Sequence, residues 1–263
     1  MKIGFIGCGN MGGAMIRGIL ASWQAGREDL AASDYSEQSR KRIRDEFGIR
    51  CLSNEEIAST SDLLVLAVKP QVYETVIAQI RSLVKDTVIL VSIAPGKKLS
   101  WLREQFGRDL KMVRVMPNTP ALVGAGMSGA TPNDLVSEAE LDMVLSLLKS
   151  FGDALPVPEA MLDVVTAVSG SSPAYVFLFI EAMADGAVSL GMPRAQAYRF
   201  AAQAVLGSAK MLLQTGRHPG ELKDMVCSPG GTTIEAVRIL EEKGLRSSVI
   251  EAVIACARRS QEM

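Results

Sequence analysis

The chain is poor in the residues that most often announce a chemistry. It holds one histidine, His218, in 263 residues, with four cysteines and 5% aromatic side chains. His218 precedes Pro219 in a turn between expected helices. It reads as a packing or solvent residue, which disfavours a histidine-driven dehydrogenase and a triad hydrolase. Cys8, Cys51, Cys227 and Cys256 are scattered without a CxxC or Cys/His pairing. Neither a disulfide framework nor a metal site is expected. Charge of one sign is not in excess either: 28 Lys and Arg face 29 Asp and Glu, for a net charge of −1. No positive field is available to hold a polyanion, so nucleic acid is not an expected partner. The most apolar later stretch, 173–180, stops at Glu181, short of the ~20 residues a membrane span needs. Glycines break up the opening segment, a poor export signal. The expectation is a cytoplasmic protein with reduced thiols and no membrane contact.

What the sequence does have is a repeating alternation. Short apolar runs at 2–7, 30–34, 63–68, 87–91 and 111–116 read as strands. Between them, 11–22, 36–47, 71–83 and 99–106 read as helices, with a further helix at 137–150 and a short run at 154–157. This implies an α/β fold whose parallel sheet is covered on both faces. From about residue 159 the strand signals stop. Residues 173–190 read as one helix, with Ser172 as N-cap, Pro173 in the first turn and Gly191 as the stop. Its polar side chains, Glu181, Asp185 and Ser189, form a single stripe. A helix apolar nearly all round must be surrounded by protein, and about 105 residues cannot easily do that alone, so a second subunit is expected to cover it. Helices follow at 194–215, 219–226, 233–243 and 246–263. The expected organisation is a Rossmann-type doubly wound domain, 1–155, followed by an all-α dimerisation and substrate-binding domain, 156–263.

Two glycine-bearing motifs carry the chemistry. Gly7-Cys8-Gly9-Asn10-Met11-Gly12 lies between a strand and a helix, with Asp34 22 residues beyond Gly12. Missing Cβ atoms there let a pyrophosphate approach backbone N–H groups at a helix N-terminus, so a dinucleotide is the expected ligand. Ser228-Pro229-Gly230-Gly231-Thr232-Thr233 opens the second such helix. Its backbone donors and hydroxyls suit a small carboxylate. Thr232 and Glu235 also match a capping box, a purely structural use of that threonine. Lys69-Pro70 and Met116-Pro117-Asn118-Thr119-Pro120 follow apolar strands at ends where open α/β sheets bind ligands. A site of hydroxyls and backbone donors without histidine suits reduction of an already protonated C=N, which needs no positioned acid.

With these residues in view, the sequence resembles the pyrroline-5-carboxylate reductases along its whole length. The resemblance rests on GFIGCGNMGGAM at 4–15, Asn54 in SNEE, AVKPQ at 67–71, RVMPNTPA at 114–121, SGSSPAY at 169–175 and above all LKDMVCSPGGTTIEAVRILE at 222–241. It implies reduction of 1-pyrroline-5-carboxylate to L-proline by NADPH or NADH, and an interlocked homodimer, assembled into higher homo-oligomers in some members. By the same resemblance Asn10, Met11, Asn54, Ala67, Lys69, Pro70 and Asn118 line the cofactor path, to which the glycine-loop motif adds Gly7, Gly9, Gly12 and Asp34. Ser171, Ser228, Gly230, Gly231, Thr232 and Thr233 hold the substrate, and Thr233, Thr166 and Lys69 are the catalytic candidates. Ser172 and Pro95 depart from the family pattern, standing where glycine and alanine are usual.

For the cofactor, Asp34 argues for NADH, since a carboxylate accepts from a ribose 2′-OH and repels a 2′-phosphate. Ser33, Ser36, Arg40, Lys41 and Arg42 on the adjacent turn and helix argue the other way. Together with the resemblance they tip the expectation slightly to NADP(H), with NAD(H) accepted. Two other functions share the glycine loop. A β-hydroxyacid dehydrogenase needs a lysine on the interdomain helix, and this chain has none between Lys149 and Lys210. A dinucleotide sensor without turnover has no need of the cluster at 228–233.

Overall fold

The computed structural model describes residues 1–22 and 25–262, and the statements below concern those residues. The chain runs β1 (Ile3–Ile6), α1 (Asn10–Ala21), β2 (Leu30–Ser33), α2 (Glu37–Asp45), β3 (Arg50–Cys51), α3 (Asn54–Thr60) and β4 (Leu63–Leu66). It continues through α4 (Tyr73–Ile80), β5 (Ile89–Ser92), α5 (Leu99–Phe106), β6 (Lys111–Met116), β7 (Gly126–Pro132), α6 (Glu138–Lys149) and β8 (Gly152–Pro156). After these come α7 (Leu162–Val165), a π-helical turn (Thr166–Gly170), α8 (Ser172–Ser189), α9 (Arg194–Thr215), α10 (Pro219–Val226), α11 (Thr232–Glu242) and α12 (Leu245–Gln261). Met263, the last residue of the helix expected over 246–263, lies outside the described residues.

One sheet in the order β3-β2-β1-β4-β5-β6-β7-β8 organises the first half. Strands β1 to β6 are parallel, while β7 pairs antiparallel with β6 and parallel with β8. The expected α/β doubly wound fold is present, and its sheet carries a reversed edge. Side chains alternate between the two faces with the period of a strand. Ile3 and Phe5 pack with Met15, Ile16 and Ile19 of α1 and with Leu147 and Leu148 of α6. Ile6, Leu64 and Leu66 pack on the other face with Ile57 of α3 and with Ile77 and Ile80 of α4. The strand order reverses between β1 and β4. There the loops after neighbouring strands diverge and leave a crevice at their carboxyl ends.

The chain divides into two compact units, Met1–Ser171 with Cys256–Met263, and Ser172–Ala255. The second is entirely helical. In it α8 and α9 pack on one another, yet of α8 only Ala184 is buried. Phe177, Leu178 and Phe179 are 66%, 68% and 41% exposed, so the chain alone leaves most of this apolar helix uncovered. The helical run Glu159–Ser189 also reaches the length and apolarity of a membrane span, with 6% of its most apolar window buried. Gly191, at φ +94°, ends α8 as expected. Ser172 is not the N-cap: it is the first helical residue, preceded by Ser171, whose N–H donates to Thr166 O at 2.7 Å. Helical backbone already runs through 159–170, so α8 continues a helical path rather than starting from a loop.

Candidate functional site

The loop after β1 is shaped by glycines with separate tasks. Gly7 sits at φ +97°, and a Cβ on it would lie 2.6 Å from Ala67 O. A Cβ on Gly12 would lie 2.4 Å from Gly7 O. These two let the loop close against β4 and α1. Gly9 is different: a Cβ there would meet nothing within 4 Å. Its open face, and an α1 N-terminus that Gly9 leaves without a side-chain cap or acidic residue, direct the first-turn N–H groups at Asn10, Met11 and Gly12 outward. The donors suit a pyrophosphate.

The second wall is the turn after β2. Asp34 accepts from Cys8 N at 2.7 Å through Oδ2 and from Ser36 N at 2.8 Å through Oδ1. The basic group is more committed than its sequence suggests. Arg42 donates to the carbonyls of Cys8 and Gly9. Arg40 donates to Asp34 O at 3.3 Å and Tyr35 O at 3.2 Å, and pairs with Glu37. Ser33 Oγ donates to Asn54 Oδ1 at 2.6 Å, and Asn54 donates in turn to Gln79. Ser36 caps α2 through its oxygen, which keeps its hydroxyl proton available. The clamp by Arg42 was missed in the sequence because its spacing from Cys8 has no local signature. Cys8 is fully buried, and burial pushes its thiol up against the opposing pull of Arg42. It stays a thiol and packs as a small apolar residue.

The floor comes from β4 and β6. Ala67 N donates to Ile6 O at 2.8 Å, which holds the two strand ends together. Lys69 is exposed and precedes a 3₁₀ turn that starts at Pro70. Asn118 is 9% exposed and spends its amide on the protein: Nδ2 donates to Ser169 O at 3.0 Å and Oδ1 accepts from Met127 N at 2.8 Å. It therefore pins the π-helical turn to the sheet. Thr166, the first residue of that turn, donates to Leu162 O of α7 at 2.8 Å. Such turns occur often at functional sites. Periodicity in the sequence gave no sign of this one.

In the second unit, residues 228–231 form a tight turn closed by Gly231 N donating to Ser228 O at 3.0 Å, with Gly230 at φ +67°. A Cβ on Gly231 would lie 2.3 Å from Ser228 Oγ. The N-cap of α11 is Gly231, and it provides no side-chain cap. The capping box between Thr232 and Glu235 does not form, because Thr232 is already helical and Glu235 pairs with Arg238 instead. The first turn of α11 thus presents uncapped N–H groups beside the hydroxyls of Ser228, Thr232 and Thr233, which suits a carboxylate.

Similarity to known proteins follows this architecture. Residues 159–263 match the family model described as pyrroline-5-carboxylate reductase dimerisation. Residues 2–96 match that described as NADP oxidoreductase, coenzyme F420-dependent. The chain is 53% identical over 263 residues to the pyrroline-5-carboxylate reductase of Escherichia coli (strain K12), covering 100% of this chain and 98% of that one. A pyrroline-5-carboxylate reductase structure from Coxiella burnetii superposes with a TM-score of 0.94 at 32% identity, covering 99% of this chain and 97% of that one. The Plasmodium falciparum pyrroline carboxylate reductase, solved with NADP bound, gives a TM-score of 0.89 at 33% identity over 100% of this chain and 97% of its own.

Proposed function

This chain belongs to the pyrroline-5-carboxylate reductase family, and we propose that it reduces the C=N bond of 1-pyrroline-5-carboxylate to give L-proline. The observation that carries this reading is the start of α11, where an uncapped helix end, two glycines and three hydroxyls meet in one turn. Ser228, Gly230, Gly231 and Thr232 hold the substrate carboxylate there, with Ser171 as a further contact. Thr233 orients the ring nitrogen, with Thr166 and Lys69 as the other catalytic candidates. The open face of Gly9 and the free N–H groups of α1 fit a dinucleotide pyrophosphate. Gly7, Asn10, Met11, Gly12, Asp34, Asn54, Ala67, Lys69, Pro70 and Asn118 shape or line the same path. When bound, a reduced nicotinamide would supply the hydride for the carbon of the protonated imine, whose C=N electron pair would pass to nitrogen. No proton has to be delivered to a developing oxyanion, in keeping with a site that has no histidine.

NADPH is the preferred donor and NADH is also accepted. Supporting this, the Asp34 carboxylate is turned onto Cys8 and Ser36, and Ser36 and the exposed, unpaired Lys41 stand on the same turn and helix. Residues 156–263 form the dimerisation and substrate domain, following the Rossmann domain at 1–155. A second copy of the chain, rather than lipid, covers α8, in line with the dimerisation model that spans 159–263. Four unpaired cysteines suit a cytoplasmic location. Purified protein given pyrroline-5-carboxylate should consume NADPH absorbance and form proline; dinucleotide binding without turnover would refute the reductase.

A further inference from the structure

The last turns of α12 fold back onto the segment that carries Thr166 and Ser171. Of α12, the part from Cys256 onward groups with the first compact unit and the part before it with the second. Two side chains one helical turn apart make the attachment. Cys256 Sγ donates to Ser171 Oγ at 3.3 Å, and Ser260 Oγ donates to Asp163 Oδ1 at 2.7 Å. Ser260 is buried and Cys256 half-buried. With Asn118 on Ser169 O, these contacts hold the π-helical turn from both sides. Ser171 itself sits at the end of that turn in a helical conformation, with its N–H given to Thr166 O.

The direction of the sulfur contact matters. A serine hydroxyl has one proton to give, and a ligand carboxylate can only accept. With the thiol donating to Ser171 Oγ, the serine's own proton is left to point elsewhere, and each bond in such a chain polarises the next. We propose that Cys256 is a positioning residue for substrate binding, fixing the rotamer of Ser171 so that its hydroxyl proton is aimed at the substrate. This rests on the reading of Ser171 as a substrate-binding residue. Cys256 touches no reacting atom and acts only through the serine.

The test is a double-mutant cycle on the full chain, read as KM for pyrroline-5-carboxylate and KM for NADPH. Cys256→Ala should raise KM for the imino acid about fivefold, the range of one modest hydrogen bond, without raising KM for NADPH. In a Ser171→Ala background the same substitution should add nothing. Cys256→Ser keeps a shorter donor and should restore part of the loss, which also carries the test should the alanine variant fold poorly. An unchanged KM in Cys256→Ala alongside an impaired Ser171→Ala would overturn this inference alone. So would additive effects of the two substitutions, or a serine variant no better than alanine. Wild-type kinetics in Ser171→Ala would overturn both the inference and the reading beneath it.

Discussion

Asp34 Oδ2 accepts the backbone N–H of Cys8 at 2.7 Å, so the acidic residue at the end of β2 holds the glycine loop in place. Its other oxygen accepts from Ser36 N, closing the turn into α2. The carboxylate therefore shapes the dinucleotide crevice before any question of reading a ribose arises. Asp34→Ala should raise KM for NADPH and for NADH together, each on the order of tenfold, through loss of charge-assisted bonds to the loop. A selective loss of NADH alone would show that Asp34 reads the ribose 2′-OH, against the preference for NADPH.

Thr233 offers its hydroxyl from the first turn of α11, in the second compact unit, whereas the glycine loop belongs to the first. Thr233→Ala should lower kcat on the order of 10²-fold, the scale of a misoriented reacting group, with NADPH affinity retained. Steady-state kinetics together with a fluorescence titration of NADPH separate the two effects. Wild-type turnover would remove Thr233 from the mechanism.

Phe179 is 41% exposed on α8 in the single chain and lines the same apolar surface as Met183 and Leu212. A charge at this position, Phe179→Asp, would have to be desolvated when a second copy covers the helix, a penalty of several kcal/mol. Assembly and turnover should be lost together, as read by light scattering and the reductase assay. An active monomer at micromolar concentration would contradict the shared assembly.

Glu140 reports on acid stability. Lys111 and the cap formed with Ser137 hold its carboxyl at about 2, below its ordinary 4.5. Because the folded value is the lower one, the stabilisation is complete above about 4.5 and fades as pH falls toward about 2. Glu140→Gln should therefore lower Tm at pH 7, and the gap to wild type should close across that acid window. A gap that is constant with pH would mean the residue acts through packing alone.

Tyr73 is fully buried, and burial pushes its hydroxyl up to about 12. The hydroxyl donates to Leu66 O at 2.6 Å and accepts from Ser92 Oγ at 3.2 Å, bridging the ends of β4 and β5 beside the crevice. Tyr73→Phe should destabilise the protein by about 1–2 kcal/mol in urea unfolding, since it leaves buried partners unsatisfied. An unchanged unfolding midpoint would show that the strand ends hold without the bridge.

Much of this molecule was legible in the amino-acid order. Apolar runs such as those at 3–6 and 63–66 announce buried parallel strands by composition alone, because both faces of such a strand are covered. The antiparallel strand β7, GMSGATP, was not legible: its glycines, serine and threonine lack an apolar signature. Nor was β3, a strand of two residues.

The glycine loop and the turn before α11 were readable because close backbone approach requires glycine at particular places, and that requirement is local. How polar side chains are spent was decided by the tertiary structure. Thr232 and Glu235 form a capping box by spacing, yet Gly231 takes the cap and frees the hydroxyl. Asn118 could have faced a ligand, but Ser169 and Met127, brought near only by folding, use its amide. Cys256 meets Ser171 across 85 residues of chain. Periodicity and glycine chemistry act over a few residues and are written in the sequence, whereas hydrogen-bond partners are chosen from whatever the packed fold brings within about 3 Å.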